Sequence, residues 1–475
     1  MKKTTFTVLA ALMAGCGTAH QEVDIMAQPK TIDPSRYALD MQSKTLDNGL
    51  EITAVKLAKL PVFRLEIELL AGSVYDPKGQ EGLANLTGSM LEQGAGGLSS
   101  DEIAEIIEGM GAQMDVSVGK TTGNLSLKTL SQDADSGLAV LSKVLTEPNF
   151  DKQEFSKLRK RTISSIYSSK SNPNTVLRWS FDETVYQNHP LAHPVIGYDS
   201  TVSKISLDQV KEFYKAHYFP GNARVVVVSD MEPDQAIKLV EKHLGSWKAE
   251  SHRIPDVPDV PEIKGKTVKV VRMPDLTQCY INLGMNGIKR NSPEYNSVRV
   301  MNYILSGSGF SSRVTKKIRV ENGYAYSVWG YFTSGYGLKD KVLSGVYIAG
   351  LETKTETGSK AVNMLLQLIS DAKAKGFTQE ELEAAQKYYT GSIARSGETY
   401  NQLSGLILYQ KRYGLEDLYW IKDIVNISQL SLDQVNRAAK DHLDPDNFAL
   451  VIVADTSYTL DGFENVEYTD YKSMK

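Results

Sequence analysis

Two histidines, His189 and His193, stand four residues apart with Asp182 and Glu183 just upstream. On a helix that spacing would put both imidazoles on one face, where a divalent metal could be held. Pro190 and Pro194 break any such helix, so the pair reads as structural. The other five histidines are scattered and form no cluster. Cys279 has no histidine near it in sequence, and no G-x-S-x-G occurs in a supporting context, so no thiol or hydroxyl nucleophile is indicated. Gly307-Ser308-Gly309 lacks the Gly-Lys-Ser/Thr of a phosphate loop, which speaks against a nucleotide. Arg319 and Tyr326, seven residues apart, read locally as a solvated charge at a helix end and a strand residue in the core.

The elements around this pair are legible. Ser312–Val320 reads as a helix with Lys316, Lys317 and Arg319 toward its C-terminal end, where cations suit the dipole. Asn322 and Gly323 stop it, and Tyr326 falls on the next strand. Further out, the chain is written twice. Ser206-Leu207-Asp208-Gln209-Val210 recurs as Ser431-Leu432-Asp433-Gln434-Val435, an offset of 225 residues. The same offset carries Pro220 to Pro445, Asn222 to Asn447, Asp230 to Asp455, and the apolar run Arg224–Val228 to Ala449–Val453. Each copy predicts a serine-capped helix, a Pro/Asn turn and a buried β-branched strand. More loosely, Asn149–Ile166 is echoed by Gly376–Ile393. The expected fold is α+β: two homologous α/β sandwich halves from internal duplication, at 45–250 and 266–470, in a clam-shell around a cleft. Pro255, Pro258 and Pro261 recur every third residue in the joining segment 251–265, which reads as a semi-rigid polyproline spacer rather than a ligand for a proline-binding module.

Composition narrows the function classes. With Lys+Arg 53 against Asp+Glu 57, the net charge of -4 gives no footprint for nucleic acid. Hydrophobic residues at 41% and charged residues at 23% exclude a collagen-like, coiled-coil or wholly disordered chain. The only long apolar run is N-terminal, which excludes a multi-spanning membrane protein. There, Lys2 and Lys3 precede a short apolar stretch that ends in Ala14-Gly15-Cys16. Residues 1–15 read as a secretory signal. The junction resembles the lipobox of bacterial lipoproteins, which implies lipidation of Cys16. Gly17, not Asp, then implies an outer-membrane, periplasm-facing destination. A plain secretory signal cleaved near Ala14 or Ala19 is the alternative. Residues 16–44 read as a polar tether. With Cys16 lipidated, Cys279 has no disulfide partner.

Over residues 45–460 the chain resembles the pitrilysin-like (insulinase) zinc metallopeptidases. The matching pieces are Leu46-Asp47-Asn48-Gly49-Leu50, Gly82-Leu83-Ala84, His189-Pro190-Leu191 with Pro194–Gly197, Gln278, Gly307–Arg313, and Arg319 leading into Gly323–Ser327. Active members carry H-x-x-E-H, two imidazoles for zinc and a glutamate general base. Here that slot reads Asn85-Leu86-Thr87-Gly88-Ser89. Asn85, Gly88 and Ser89 stand for His, Glu and His. The family's third ligand, a glutamate, falls at Ser164 or Ser165, and no acidic residue lies between Glu154 and Asp182. The resemblance therefore implies no catalytic residues in this slot, no metal and no cofactor in this chain. Arg319 and Tyr326 match the arginine and tyrosine with which the family's second half reaches the substrate, and the resemblance implies that this guanidinium and phenol stabilise the charge developing on a scissile carbonyl. In part of the family one chain brings the zinc and another the Arg/Tyr pair. The expectation is a non-catalytic, substrate-binding subunit in the cell envelope, inactive alone, whose partners are a zinc-motif-bearing subunit, an extended peptide and, through the N-terminal lipid, a membrane. The alternative is a peptide-binding or scaffolding lipoprotein with no role in proteolysis.

Overall fold

The computed structural model describes residues 32–473; the signal, Cys16 and the first part of the tether lie outside the described residues. The first half contains β1 (Met41–Thr45), β2 (Glu51–Lys56), β3 (Val62–Leu69), α1 (Leu83–Leu91), α2 (Ser100–Gly109), β4 (Gln113–Val118), β5 (Gly123–Leu130), α3 (Ala134–Thr146), α4 (Lys152–Ser169), α5 (Pro173–Tyr186), α6 (Asp199–Val202), α7 (Leu207–His217), β6 (Ala223–Ser229) and α8 (Pro233–Leu244). The second contains β7 (Lys266–Arg272), β8 (Gln278–Asn286), α9 (Tyr295–Asn302), β9 (Ala325–Phe332), a small β10 (Tyr336–Gly337) and β11 (Val342–Leu343) ribbon, β12 (Val346–Lys354), α10 (Gly358–Lys375), α11 (Gln379–Ser392), α12 (Tyr400–Tyr413), α13 (Tyr419–Ser428), α14 (Leu432–His442), β13 (Phe448–Ala454) and β14 (Glu467–Asp470).

The duplication is visible strand by strand. The sheets run β1-β2-β6-β3-β5-β4 and β14-β7-β13-β8-β12-β9, the same order from the second position to the last. In each, an equivalent parallel pair (β2 with β6, β7 with β13) sits within a mainly antiparallel sheet, and β14 adds a second parallel pairing, with β7, at the edge of the second. The 225-residue offset maps α7 onto α14 and β6 onto β13 residue for residue. Ser206 and Ser431 both close capping boxes, with Gln209 and Gln434. The strands β6 and β13 lie inside their sheets and are rich in Val and Ile, and β13 is buried throughout.

The halves hold each other by exchanging helices. Helix α5, capped by Asn172 with Pro173 in its first turn, leaves its own half and lies on β13 and β8 of the other. Gly284 on β8 makes room for it: a side chain there would sit 2.6 Å from the Phe181 ring. The equivalent α12 crosses the opposite way and buries Leu403, Ile407 and Leu408 against Val55, Val226 and Val228. Ion pairs fasten the crossing. Glu68, only 2% exposed on β3, takes Arg412 from α12 through Nε (3.0 Å) and Nη2, with Arg224 3.7 Å away. Lys411 pairs with Glu51 at 2.7 Å.

Two segments expected to be simple connectors are part of this body. Tyr37, Leu39 and Met41 pack on the α12–α13 layer and β1 pairs with β2, so the folded unit begins before residue 45. The proline-rich segment has no regular structure but is docked: Val257 and Ile263 are buried, and Asn286 clamps Ile263 through both its N–H and C=O.

His217 is buried neutral. It stacks on Phe213 at 4.3 Å and donates from Nδ1 to the Leu70 carbonyl at 2.9 Å. Burial pulls its pKa down to about 4. The folded state therefore binds fewer protons than the unfolded one between pH 6.5 and 4. His217's contribution is complete above about pH 6.5 and is lost as pH falls, at up to about 1.4 kcal/mol per pH unit. Equilibrium unfolding across that window should show stability dropping with acid, and His217→Gln should flatten the slope.

Candidate functional site

The helix in the zinc-motif position, α1, is well built. Asp76, fully buried, accepts from the N–H groups of Gly82 (2.8 Å) and Ala84 (2.7 Å) and satisfies its first turn. The helix packs on α4, α7 and β4. Its donor set does not fit a metal. Asn85 and Ser89 are half-buried, and neither is a competent zinc ligand. At Gly88 a Cβ would lie 2.5 Å from Val118 Cγ2, so a valine from β4 fills the space a base would need. Ser164 and Ser165 on α4 are exposed. Among the described residues no group of three or more His, Cys, Asp or Glu is placed to hold a metal ion. Gly88→Glu should cost about 1–3 kcal/mol through overpacking, read as a lower thermal midpoint.

His189 and His193 are both buried, His189 with both ring nitrogens engaged and His193 with Nδ1 alone. His189 Nδ1 accepts from Leu191 N at 3.1 Å, while Nε2 donates to the Pro258 carbonyl at 3.0 Å. His193 Nδ1 lies 3.1 Å from the Pro194 carbonyl, and its Nε2 is 4.0 Å from the carboxylate of Asp76. Burial lowers both pKa values, which keeps the rings neutral. Cys279 is buried in β8, and burial pushes its thiol up to about 12, so it is no nucleophile.

Arg319 and Tyr326, by contrast, are brought together. The helix expected over Ser312–Val320 carries a wide π-type stretch at Thr315–Glu321, a geometry frequent at functional sites. Asn322 closes it, donating from Nδ2 to the Lys317 carbonyl at 2.8 Å. Tyr326 follows on β9, the edge strand of the second sheet, and is 79% exposed, so the core-residue reading is wrong. The Arg319 guanidinium lies between two rings, 4.6 Å from the Tyr326 centroid and 4.4 Å from that of Phe310. It has no hydrogen bond or ion pair to any described residue, so its N–H groups remain available to a ligand. Phe310 was missed at the sequence level; the signal was a large apolar residue inside the polar turn Gly307–Ser312. With Val320, these residues make an apolar surface around one cation. The wide helix packs on β9 and α10 of the second half, whereas α1 packs on α4, α7 and β4 of the first.

Comparison with known proteins agrees with this fold. The family model described as insulinase (peptidase family M16) matches residues 61–199, and the one described as peptidase M16 inactive domain matches residues 204–389. A Helicobacter pylori protein called non-peptidase homolog YmxG is 27% identical over 86% of this chain and 95% of its own length. A Bacillus subtilis protein called uncharacterized zinc protease YmxG is 25% identical over 86% of this chain and 97% of its own. The crystal structure of a peptidase M16 inactive domain from Pseudomonas fluorescens superposes with a TM-score of 0.80 at 25% identity, covering 88% of this chain and 98% of that one.

Proposed function

From the premise that the chain belongs to the insulinase family, peptidase family M16, we propose that it is the non-catalytic, substrate-binding subunit of a two-chain zinc peptidase in the bacterial cell envelope. Its partner carries H-x-x-E-H, the zinc and the general base. This chain contributes Arg319 and Tyr326, which hold an extended peptide and donate to its scissile carbonyl as charge builds there. Lipid on Cys16 anchors it, facing the periplasm from the outer membrane.

The carrying observation is one asymmetry. The slot for metal and base is filled by Asn85, Gly88, Ser89 and the Val118 side chain, while Tyr326 stands exposed with the half-buried Arg319 against its ring. Relatives are called both zinc proteases and a non-peptidase homologue, and the side chains of the slot support the second description for this chain. The test is recovery of the native protein with its neighbours from an envelope extract, followed by mixing of purified chains. The proposal expects a companion with H-x-x-E-H, and peptide hydrolysis that needs both chains. A companion set without that motif would leave the scaffolding alternative in its place.

A further inference from the structure

A second recess lies in the second half, between α9, α12 and α13. Its inner part, about 270 Å³, is bounded by Arg290, Arg299, Tyr409, Tyr419 and Asp423. It shares Ser392, Leu406, Tyr409 and Tyr419 with a wider mouth of about 460 Å³ that also takes in Arg395 and Asn401. Three features make this more than a gap between helices.

The first is charge. Three arginines line the recess against a single carboxylate, and that carboxylate is already saturated. Asp423 accepts from Arg290 Nη2 at 2.5 Å, from Asn296 Nδ2 at 3.1 Å and from Arg299 Nη1 at 3.5 Å. Arg395 has no partner among the described residues, and the recess is left with an excess of positive charge. The second is an unsatisfied donor. Arg290 is 5% exposed, and its Nε–H finds no acceptor, a costly arrangement for a buried charged group. The third is the wall. Arg290 lies over the Tyr295 ring at 4.1 Å, with Tyr419 at 5.3 Å and Tyr409 at 5.7 Å. Tyr409 and Tyr419 stack on each other, and Leu406 extends the apolar surface to the mouth. The aromatic rings already carry a cation, so the recess calls for an anion on an apolar body.

We infer that this recess binds the C-terminal end of a peptide: a free carboxylate taken by Arg299 and Arg395, an apolar last side chain against Leu406 and the tyrosine faces, and the preceding amide met by Asn401. Guanidinium forks match a carboxylate in shape as well as charge. A bare phosphate would leave the apolar wall unused. The inference rests on the reading of the chain as a peptide-binding subunit, and adds a preference for substrates that present a free, apolar C-terminus.

Isothermal titration of the full chain with the tripeptide Ala-Ala-Leu, with its C-terminal amide and with inorganic phosphate tests it. The free acid should bind at least tenfold more tightly than the amide or phosphate. Arg299→Gln and Arg395→Gln should each weaken it at least fivefold, whereas Lys160→Gln, exposed on α4 of the first half, should leave it unchanged. Equal binding of acid and amide, saturation by phosphate with the affinity of the acid, or no binding of the acid at millimolar concentration would each overturn the inference. No partner chain is present in this titration, so a negative result leaves the Arg319/Tyr326 assignment to stand or fall on turnover.

Discussion

Replacing Tyr326 with phenylalanine should lower peptide turnover by the two-chain enzyme about 100-fold while leaving the subunit folded. The magnitude follows from the role. A single donor aimed at a developing oxyanion is worth about 10²–10³ in kcat. The interaction strengthens only as charge appears, so kcat should fall with KM little changed. The phenyl ring keeps the 4.6 Å contact with the Arg319 guanidinium, so the sandwich survives and only the hydroxyl is lost. At 79% exposure the hydroxyl supports nothing in the core, and stability should move by less than about 0.5 kcal/mol. Arg319→Gln removes the charge and should raise KM as well, because the guanidinium is free to grip the peptide backbone before reaction. Unchanged turnover by both variants would remove the assigned role.

The second large effect is on the union of the halves. Arg412→Ala should cost about 3–5 kcal/mol, since it strands the Glu68 carboxylate in an apolar interior. Arg224, 3.7 Å from the other carboxylate oxygen, is too distant to replace the two bonds Arg412 makes to Oε2 without rearrangement. Replacing both members with leucine should restore most of the loss, because the desolvation penalty goes with the charges. Denaturant unfolding separates the outcomes. A single substitution that costs under about 1 kcal/mol would mean that apolar packing of α5 and α12 alone joins the halves.

The sequence carries much of this architecture because duplication leaves marks that survive divergence. Ser206 and Ser431 cap equivalent helices, and the valine-rich runs after Pro220 and Pro445 become equivalent inner strands. The chemistry of the zinc-motif slot was equally legible, since Asn85, Gly88 and Ser89 are poor zinc ligands whatever their geometry. The exchange of α5 and α12 was not. An apolar helix face has the same pattern whichever sheet it covers, and the Gly284–Phe181 contact joins residues far apart in the chain. The wide turn around Arg319 has no periodic signature over seven residues, so it reads as an ordinary helix. The length of the tether was overestimated because Tyr37, Leu39 and Met41 are isolated apolar residues in a polar stretch, and only the surface of α12 and α13 gives them somewhere to pack.

The central claim is that this polypeptide cannot hold the catalytic metal. Zinc content measured on the purified chain alone, after equilibration with excess zinc and removal of loosely bound ions, addresses it most directly. The account predicts far less than one zinc per chain. One tightly held zinc per chain, lost on substitution of Asn85 or Ser89, would contradict it.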